Sequence, residues 1–180
     1  MSARPDDRVR IARPATPAEW DGARSLLGDY LDWVVAELGV GDVAEVQACT
    51  AAERADPRAA FDRPGHALLL GRLGRLPAGM LGLRPGGRAG ELELTRFYVR
   101  PVARGTGLGG RLIAATLAEA VALGADRLVL DTLPWLMGAA VRHYEAVGFR
   151  PSAEPAHVEI PGCVRFELSL HEAARPQRVA

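Results

Sequence analysis

The stretch that most restricts the fold lies at residues 91–131. A strand-like alternating run, ELELTRFYV at 91–99, leads into the glycine-rich turn Arg104-Gly105-Thr106-Gly107-Leu108-Gly109-Gly110. A helix-periodic segment follows over 111–123, with Leu112, Ile113, Ala115, Leu117 and Val121 as its apolar positions, and Gly124 stops it. A second strand follows at 127–130. Strand, turn, helix and strand in this order make a parallel crossover, which is right-handed by the general rule for such units. Glycines between a strand and a helix let backbone N–H groups converge without Cβ obstruction. Together with the positive end of the helix dipole they form an anion site, and a diphosphate is its natural occupant.

Other uses of such a loop are weaker. A phosphate loop of the lysine type is excluded, because all 22 basic residues are arginine and the chain has no lysine. Gly105, Gly107 and Gly110 match G-x-G-x-x-G, but no doubly wound repeat continues after them. A glycine turn that serves tight packing alone is the plain alternative.

The flanking chain supplies further strands and helices. Residues 8–13 alternate as an opening strand. Thr16, Pro17 and Glu19 form a capping-box start for a helix carrying Leu26, Leu27, Tyr30, Leu31, Val34, Val35 and Leu38, with Gly39 placed to end it. A short helix over 51–61 is interrupted by Pro57. Apolar runs at 67–71 and 78–83 make a hairpin across 74–77, and Pro85-Gly86-Gly87 turns the chain into 91–99. A helix at 139–147 closes at Gly148, and a last strand covers 164–170. The result is a mixed α/β (α+β) sheet with helices packed on it, in one domain over 1–180.

Composition narrows the function. Formal net charge is zero at pH 7, which counts against a nucleic-acid binder. No apolar run approaches the ~20 residues of a membrane span, and residues 1–13 lack a signal-peptide core. Cys49 and Cys163 fit no metal spacing and are too few for a disulfide framework, so a reducing, cytoplasmic setting is expected.

Two motifs together carry a family resemblance. Residues 93–101 followed by Arg104-Gly105-Thr106-Gly107-Leu108-Gly109 resemble the central motif of the GNAT superfamily of N-acetyltransferases, whose Q/R-x-x-G-x-G/A signature is met by Arg104, Gly107 and Gly109. Further on, HYEAVGF at 143–149 resembles the second hallmark, with Tyr144, Gly148 and Phe149 in place. The match is clearest over 91–170, and Pro161-Gly162-Cys163 before the last strand agrees with it.

The resemblance implies a mostly antiparallel sheet of about six to seven strands, opened by one splayed parallel pair and flanked by about four helices. It implies acetyl-CoA as donor, wedged between the strands ending at Val99 and Asp131, with no metal. Phe97, Tyr98 and Val99 would line the pantetheine, and residues Arg104 to Gly110 would hold the pyrophosphate. The amine of a small molecule or peptide would attack directly, without an acyl-enzyme. Homodimers are common in such proteins.

For the acid, the family pattern points to Tyr144; packing of the last helix is its plain alternative. His143 is rotated about 100° from it and is expected at the surface. For the base, alternation places Glu91, Glu93, Thr95, Phe97 and Val99 on one strand face, and Glu93 aligns with an acid common in the family. Many relatives carry asparagine just after the position of Asp131, so Asp131 is a cofactor contact, a second acid or a helix cap. Tyr30, Asp32, Trp33, Trp135, His157 and Glu159 are acceptor-side candidates. A non-catalytic acyl-CoA sensor of the same fold, or a nucleotide-binding domain on the same turn, are the competing functions.

Overall fold

A computed structural model describes residues 9–38, 50–157 and 160–170. The expected elements at Arg8, Gly39, Cys49 and Glu159 lie outside the described residues. The opening strand β1 is Val9–Ala12 and the first helix α1 is Pro17–Leu38. The capping box forms as the sequence predicts. Glu19 N–H donates to Thr16 Oγ1 at 3.3 Å, and the Glu19 carboxylate accepts from the amides of Ala15 and Thr16 at 3.0 and 3.1 Å.

Those two amides hold the Glu19 carboxyl below the usual carboxylate range. A lowered folded-state pKa means that its contribution is present above the ordinary carboxylate pKa and fades as pH falls through the folded value. Glu19→Gln is therefore expected to flatten the acid side of the stability curve, read as Tm between pH 3 and 6.

Residues 50–55 are helical, and Asp56 then breaks the path before a second short helix, α2, at Pro57–Phe61. Pro57 opens α2, and the Asp56 carboxylate accepts from Ala59 N–H at 3.0 Å. The interruption expected at Pro57 is thus a change of helix, with its own N-cap.

The long hairpin of β2 (Ala67–Leu73) and β3 (Leu76–Pro85) turns on Gly74-Arg75, so Leu76 and Pro77 belong to β3 rather than to the turn. Next come β4 (Glu91–Val99), a 3-10 turn over Pro101–Ala103, α3 (Leu108–Ala122) and β5 (Arg127–Thr132). Helix α4 is Gly138–Ala146. Two strands follow: β6, only Arg150–Pro151, and β7, Val164–Ser169. Strand β6 has no legible sequence signal because two residues cannot show a period.

The seven strands of the described residues form one sheet in the order β1-β2-β3-β4-β5-β7-β6, and every neighbouring pair is antiparallel except β4–β5. One face carries α3 and α4. Its core joins Leu81, Leu83, Leu92 and Leu94 with Ile113, Leu128, Leu130, Tyr144, Phe149 and Phe166. The other face carries α1 and α2, with Trp20, Leu26, Leu27, Phe61, Leu68, Met80 and Tyr98 packed together. Among the described residues, no helix is long and apolar enough to cross a membrane.

Candidate active site

The parallel pair opens almost at once. Only Glu91, Glu93 and the residue between them pair with β5, opposite Arg127 to Val129. Beyond Glu93 the β5-facing edge of β4 has no strand partner, although β4 runs on to Val99. Among the described residues that edge makes no strand ladder, and its Val99 carbonyl takes only a side-chain bond from Arg104, so it can meet an extended ligand much as a sheet edge accepts an added strand.

A β-bulge shapes this opening. Opposite β3, Tyr98 pairs with Met80 and Thr95 with Gly82, so Arg96 and Phe97 together face Leu81 alone. Arg96 has φ +57°, a left-handed value that non-glycine residues seldom take. The extra residue reverses the side-chain parity of the strand.

This corrects the alternation read from the sequence. Glu93 and Thr95 stay on the α1/α2 face, where Glu93 meets Arg84 and Thr95 lies near Phe61. Phe97 and Val99 turn to the α3/α4 face. There the Phe97 ring packs against Tyr144 at 5.8 Å and His143 at 6.4 Å, while Tyr98 faces Tyr30 of α1 at 6.1 Å.

Two cavities meet at the opening. The larger, about 550 Å³, runs from the glycine turn to α4. Phe97, Tyr98, Val99, Arg104, Gly105, Gly107, Leu108 and Gly109 line it, together with Trp33, Met137 and His143. The smaller, about 130 Å³, is lined by Tyr30, Arg84, Glu93, Arg96, Asp131, Tyr144 and Cys163, among others. Phe97 and Met137 line both, so the cavities adjoin at those two side chains.

The glycine turn is built for close approach. Gly105 and Gly107 have φ of +78° and +81°, and an added Cβ at either would meet no atom within 4 Å, so backbone conformation alone demands glycine there. Gly107 is the N-cap of α3 and offers no side-chain cap. Arg111 N–H bonds back to the Gly107 carbonyl, which leaves the earlier first-turn amides of α3 without intrahelical acceptors. A 15-residue helix, an uncapped N-terminus and a 550 Å³ cleft beside it fit an anionic, extended ligand. Thr106 and Gly110 do not line the cleft, and the Thr106 hydroxyl donates to the Ala103 carbonyl at 2.7 Å. Arg104 lines the cleft and donates to the Val99 carbonyl at 3.2 Å.

His143 is in this cleft. An added Cβ on Gly109 would lie 3.4 Å from His143 Nε2 and 3.5 Å from Phe97 Cζ. The rotation away from Tyr144 is real, but it aims the imidazole across the first turn of α3. Sequence reasoning missed this because a helical wheel does not show which neighbour a face meets.

Tyr144 is buried, with its ring between Phe97 and Phe149, each at 5.8 Å. Burial pushes its hydroxyl far above the ordinary tyrosine range, so it holds its proton throughout the working pH range. Glu93 is held by Arg84, from Nε at 3.1 Å and Nη2 at 2.7 Å. Arg96 grips Glu53 of the 50–55 helix from Nε at 2.6 Å and Nη2 at 3.2 Å, and its charge acts on the nearby Tyr30 hydroxyl. Burial opposes the Arg96 charge, but the Glu53 bonds outweigh it and keep the guanidinium ionised.

Asp131 is not in the cleft with the glycine turn, and it does not cap a helix. Its oxygens accept from Arg165 Nε at 2.8 Å and Nη2 at 3.2 Å, and Oδ2 also accepts from His157 N–H at 2.7 Å. Both side chains of the ion pair are nearly sealed from solvent, at 2% and 4% exposure. The pair joins β5 to β7 and pins the preceding loop. Partnership across strands outcompetes the cofactor contact expected at Asp131, because a buried carboxylate is costly without a cation.

His157 is therefore held on the Asp131–Arg165 pair, with Nε2 3.1 Å from Arg165 Nη1. Trp33 lines the larger cavity, and Trp135 is exposed against Gly162. Asp32 lines a separate hollow between α1 and residues 50–55. Burial and the nearby Asp131 push the Cys163 thiol up, which keeps it protonated at neutral pH and makes it a poor nucleophile.

A sheet split by one parallel pair over a glycine cradle defines a class of acyl-transfer folds, and comparison with known proteins makes the assignment specific. Residues 25–149 match the family model of the acetyltransferase (GNAT) family. An uncharacterized N-acetyltransferase of Schizosaccharomyces pombe (strain 972 / ATCC 24843) is 30% identical over 163 residues, covering 90% of this chain and 95% of that protein. The chain belongs to the GNAT acetyltransferase family.

Solved structures share the fold. A GNAT-family acetyltransferase from Staphylococcus aureus Mu50 superposes with a TM-score of 0.69 at 14% identity, over 90% of this chain and 99% of the other. The PaiA N-acetyltransferase from Thermoplasma acidophilum, solved in complex with coenzyme A, gives 0.68 at 13% identity, over 89% and 98%.

Proposed function

We propose that the chain is an acetyl-CoA-dependent N-acetyltransferase of the cytoplasm, acting on a primary amine of a small molecule or peptide, with no metal. The observation that carries this reading is the junction of the two cavities at Phe97 and Met137, with Tyr144 on the wall of the smaller one. Bound acetyl-CoA supplies an activated acetyl thioester. The amides around Gly105 to Gly109 bind its pyrophosphate, and the unpaired edge of β4 at Phe97 and Val99 pairs with its pantetheine amides. Arg104 and His143 add side-chain contacts to the same cleft.

On the acceptor side, Glu93 keeps lone pairs beyond those used by Arg84 and takes a proton from the amine, directly or through a water. Tyr144 presents a protonated hydroxyl to the position of the sulfur. Neither Cys49 nor Cys163 is required.

Acetyl-CoA is expected to raise Tm by several degrees at 100 times its Kd, a stabilisation of about 2.7 kcal/mol, while ATP and NAD leave Tm unchanged. Thiol release from acetyl-CoA in the presence of a panel of primary amines tests the transfer itself. Absence of any thermal shift with acetyl-CoA removes the reading. A shift without thiol release on any amine leaves a CoA-binding protein rather than a transferase.

A further inference from the structure

The smaller cavity carries charges of both signs in a confined space. Arg84 and Glu93 face each other across the β3–β4 ladder, and Arg96 follows three residues along β4. A polyamine acceptor needs surplus negative charge, and this cavity has none: Arg84 matches Glu93, Arg96 matches Glu53, and Arg165 matches Asp131. At about 130 Å³ it is a confined site that suits a small molecule rather than a bulky one.

The guanidinium groups have donors to spare. Arg84 spends Nε and Nη2 on Glu93, and its Nη1 has no hydrogen-bond partner among the described residues. Arg96 spends Nε and Nη2 on Glu53 and meets Tyr30 as well, which leaves part of its five-donor fork open. A planar carboxylate is the anion that such forks select. Around these groups the walls are apolar, formed by Val34, Leu38 and Ile160.

Resting on the acetyl-transfer reading above, we propose that the acceptor is a small α-amino acid with an apolar side chain. Its ammonium sits by Glu93, its carboxylate on Arg84 and Arg96, and its side chain against Val34 and Ile160. One N–C bond forms and the thioester C–S bond breaks. Of the two protons the ammonium loses, one ends on sulfur and the other leaves to solvent through Glu93, so no further reactant is required.

The test compares L-leucine and L-valine with their amides and with the corresponding decarboxylated amines, by kcat/KM in the thiol-release assay. The free amino acids are expected to exceed both analogues at least tenfold. Arg84→Met is expected to collapse that ratio towards one while leaving the acetyl-CoA Kd unchanged, and Arg96→Lys provides a second variant that keeps a charge. Amides or simple amines as good as the amino acids overturn the acceptor class and leave acetyl transfer standing. If no acceptor is turned over, the thermal shift of the CoA complex with L-leucine against leucinamide decides. Selective stabilisation by leucine keeps the site and removes the transfer reading; no shift with either removes both.

Discussion

Tyr144→Phe is expected to lower kcat by about 10²-fold, in the range for loss of one positioned acid, with the acetyl-CoA Kd unchanged within about twofold. The split follows from geometry. The ring sits between Phe97 and Phe149, and a phenyl group keeps both contacts. Only the hydroxyl on the cavity wall is lost.

The same burial sets a pH signature. A folded-state pKa raised far above the ordinary tyrosine range means that the protonated form persists across the accessible alkaline range. The pH–rate profile is therefore expected to show no alkaline fall attributable to Tyr144 ionisation below pH 10. Steady-state kinetics and an equilibrium titration on the same variant separate the two effects; an unchanged kcat would remove Tyr144 as the acid.

The second large effect concerns stability. Asp131→Ala leaves Arg165 charged and 2% exposed with no carboxylate opposite it. The Asp131 hydrogen bonds are the leading reason that this guanidinium stays above its ordinary pKa. Breaking one side of a buried pair costs about 3–5 kcal/mol, which in a chain of this length lowers Tm by roughly 10 °C. Asp131→Asn keeps a carbonyl for Arg165 and should cost less than half as much. Thermal unfolding of the two variants checks both. Equal losses would mean that the lost carboxylate charge carries the whole effect and that the carbonyl and shape kept by asparagine contribute nothing.

How far the sequence discloses this architecture depends on where the information is stored. The β4–α3–β5 unit was legible because glycines at Gly105 and Gly107 are local necessities, and the capping box at Thr16–Glu19 is equally local. Helix α3 starts at Leu108, ahead of the expected 111, because Gly109 and Gly110 are weak helix formers by propensity yet are held in its first turn. The bulge was illegible for the opposite reason. Its left-handed position is filled by Arg96, where glycine or asparagine would have given a signal. Partners for Arg96 come from Glu53 and Tyr30, 43 and 66 residues away in the chain.

That one residue decides which of the predicted site residues share a face. Glu93 and Tyr144 were named from the sequence, and both line the same small cavity. Phe97 stands at the junction because the bulge turned it over. Asp131 and His143 both depart from their expected surroundings, the first in a buried ion pair and the second in the cleft, since long-range pairing and helix–helix approach leave no local pattern.

The most direct test of the cleft is an equilibrium titration of acetyl-CoA into the wild-type protein and into Gly107→Val. A β-branched residue at φ +81° strains the turn by more than the ~1–2 kcal/mol of an ordinary left-handed residue and displaces the amides that meet the pyrophosphate. The expected result is saturable binding by the wild type and an affinity at least tenfold weaker in the variant, with its far-UV spectrum retained. Acetyl-CoA binding that is absent in the wild type, or equally tight in a folded Gly107→Val protein, would contradict the glycine turn as the cofactor cradle.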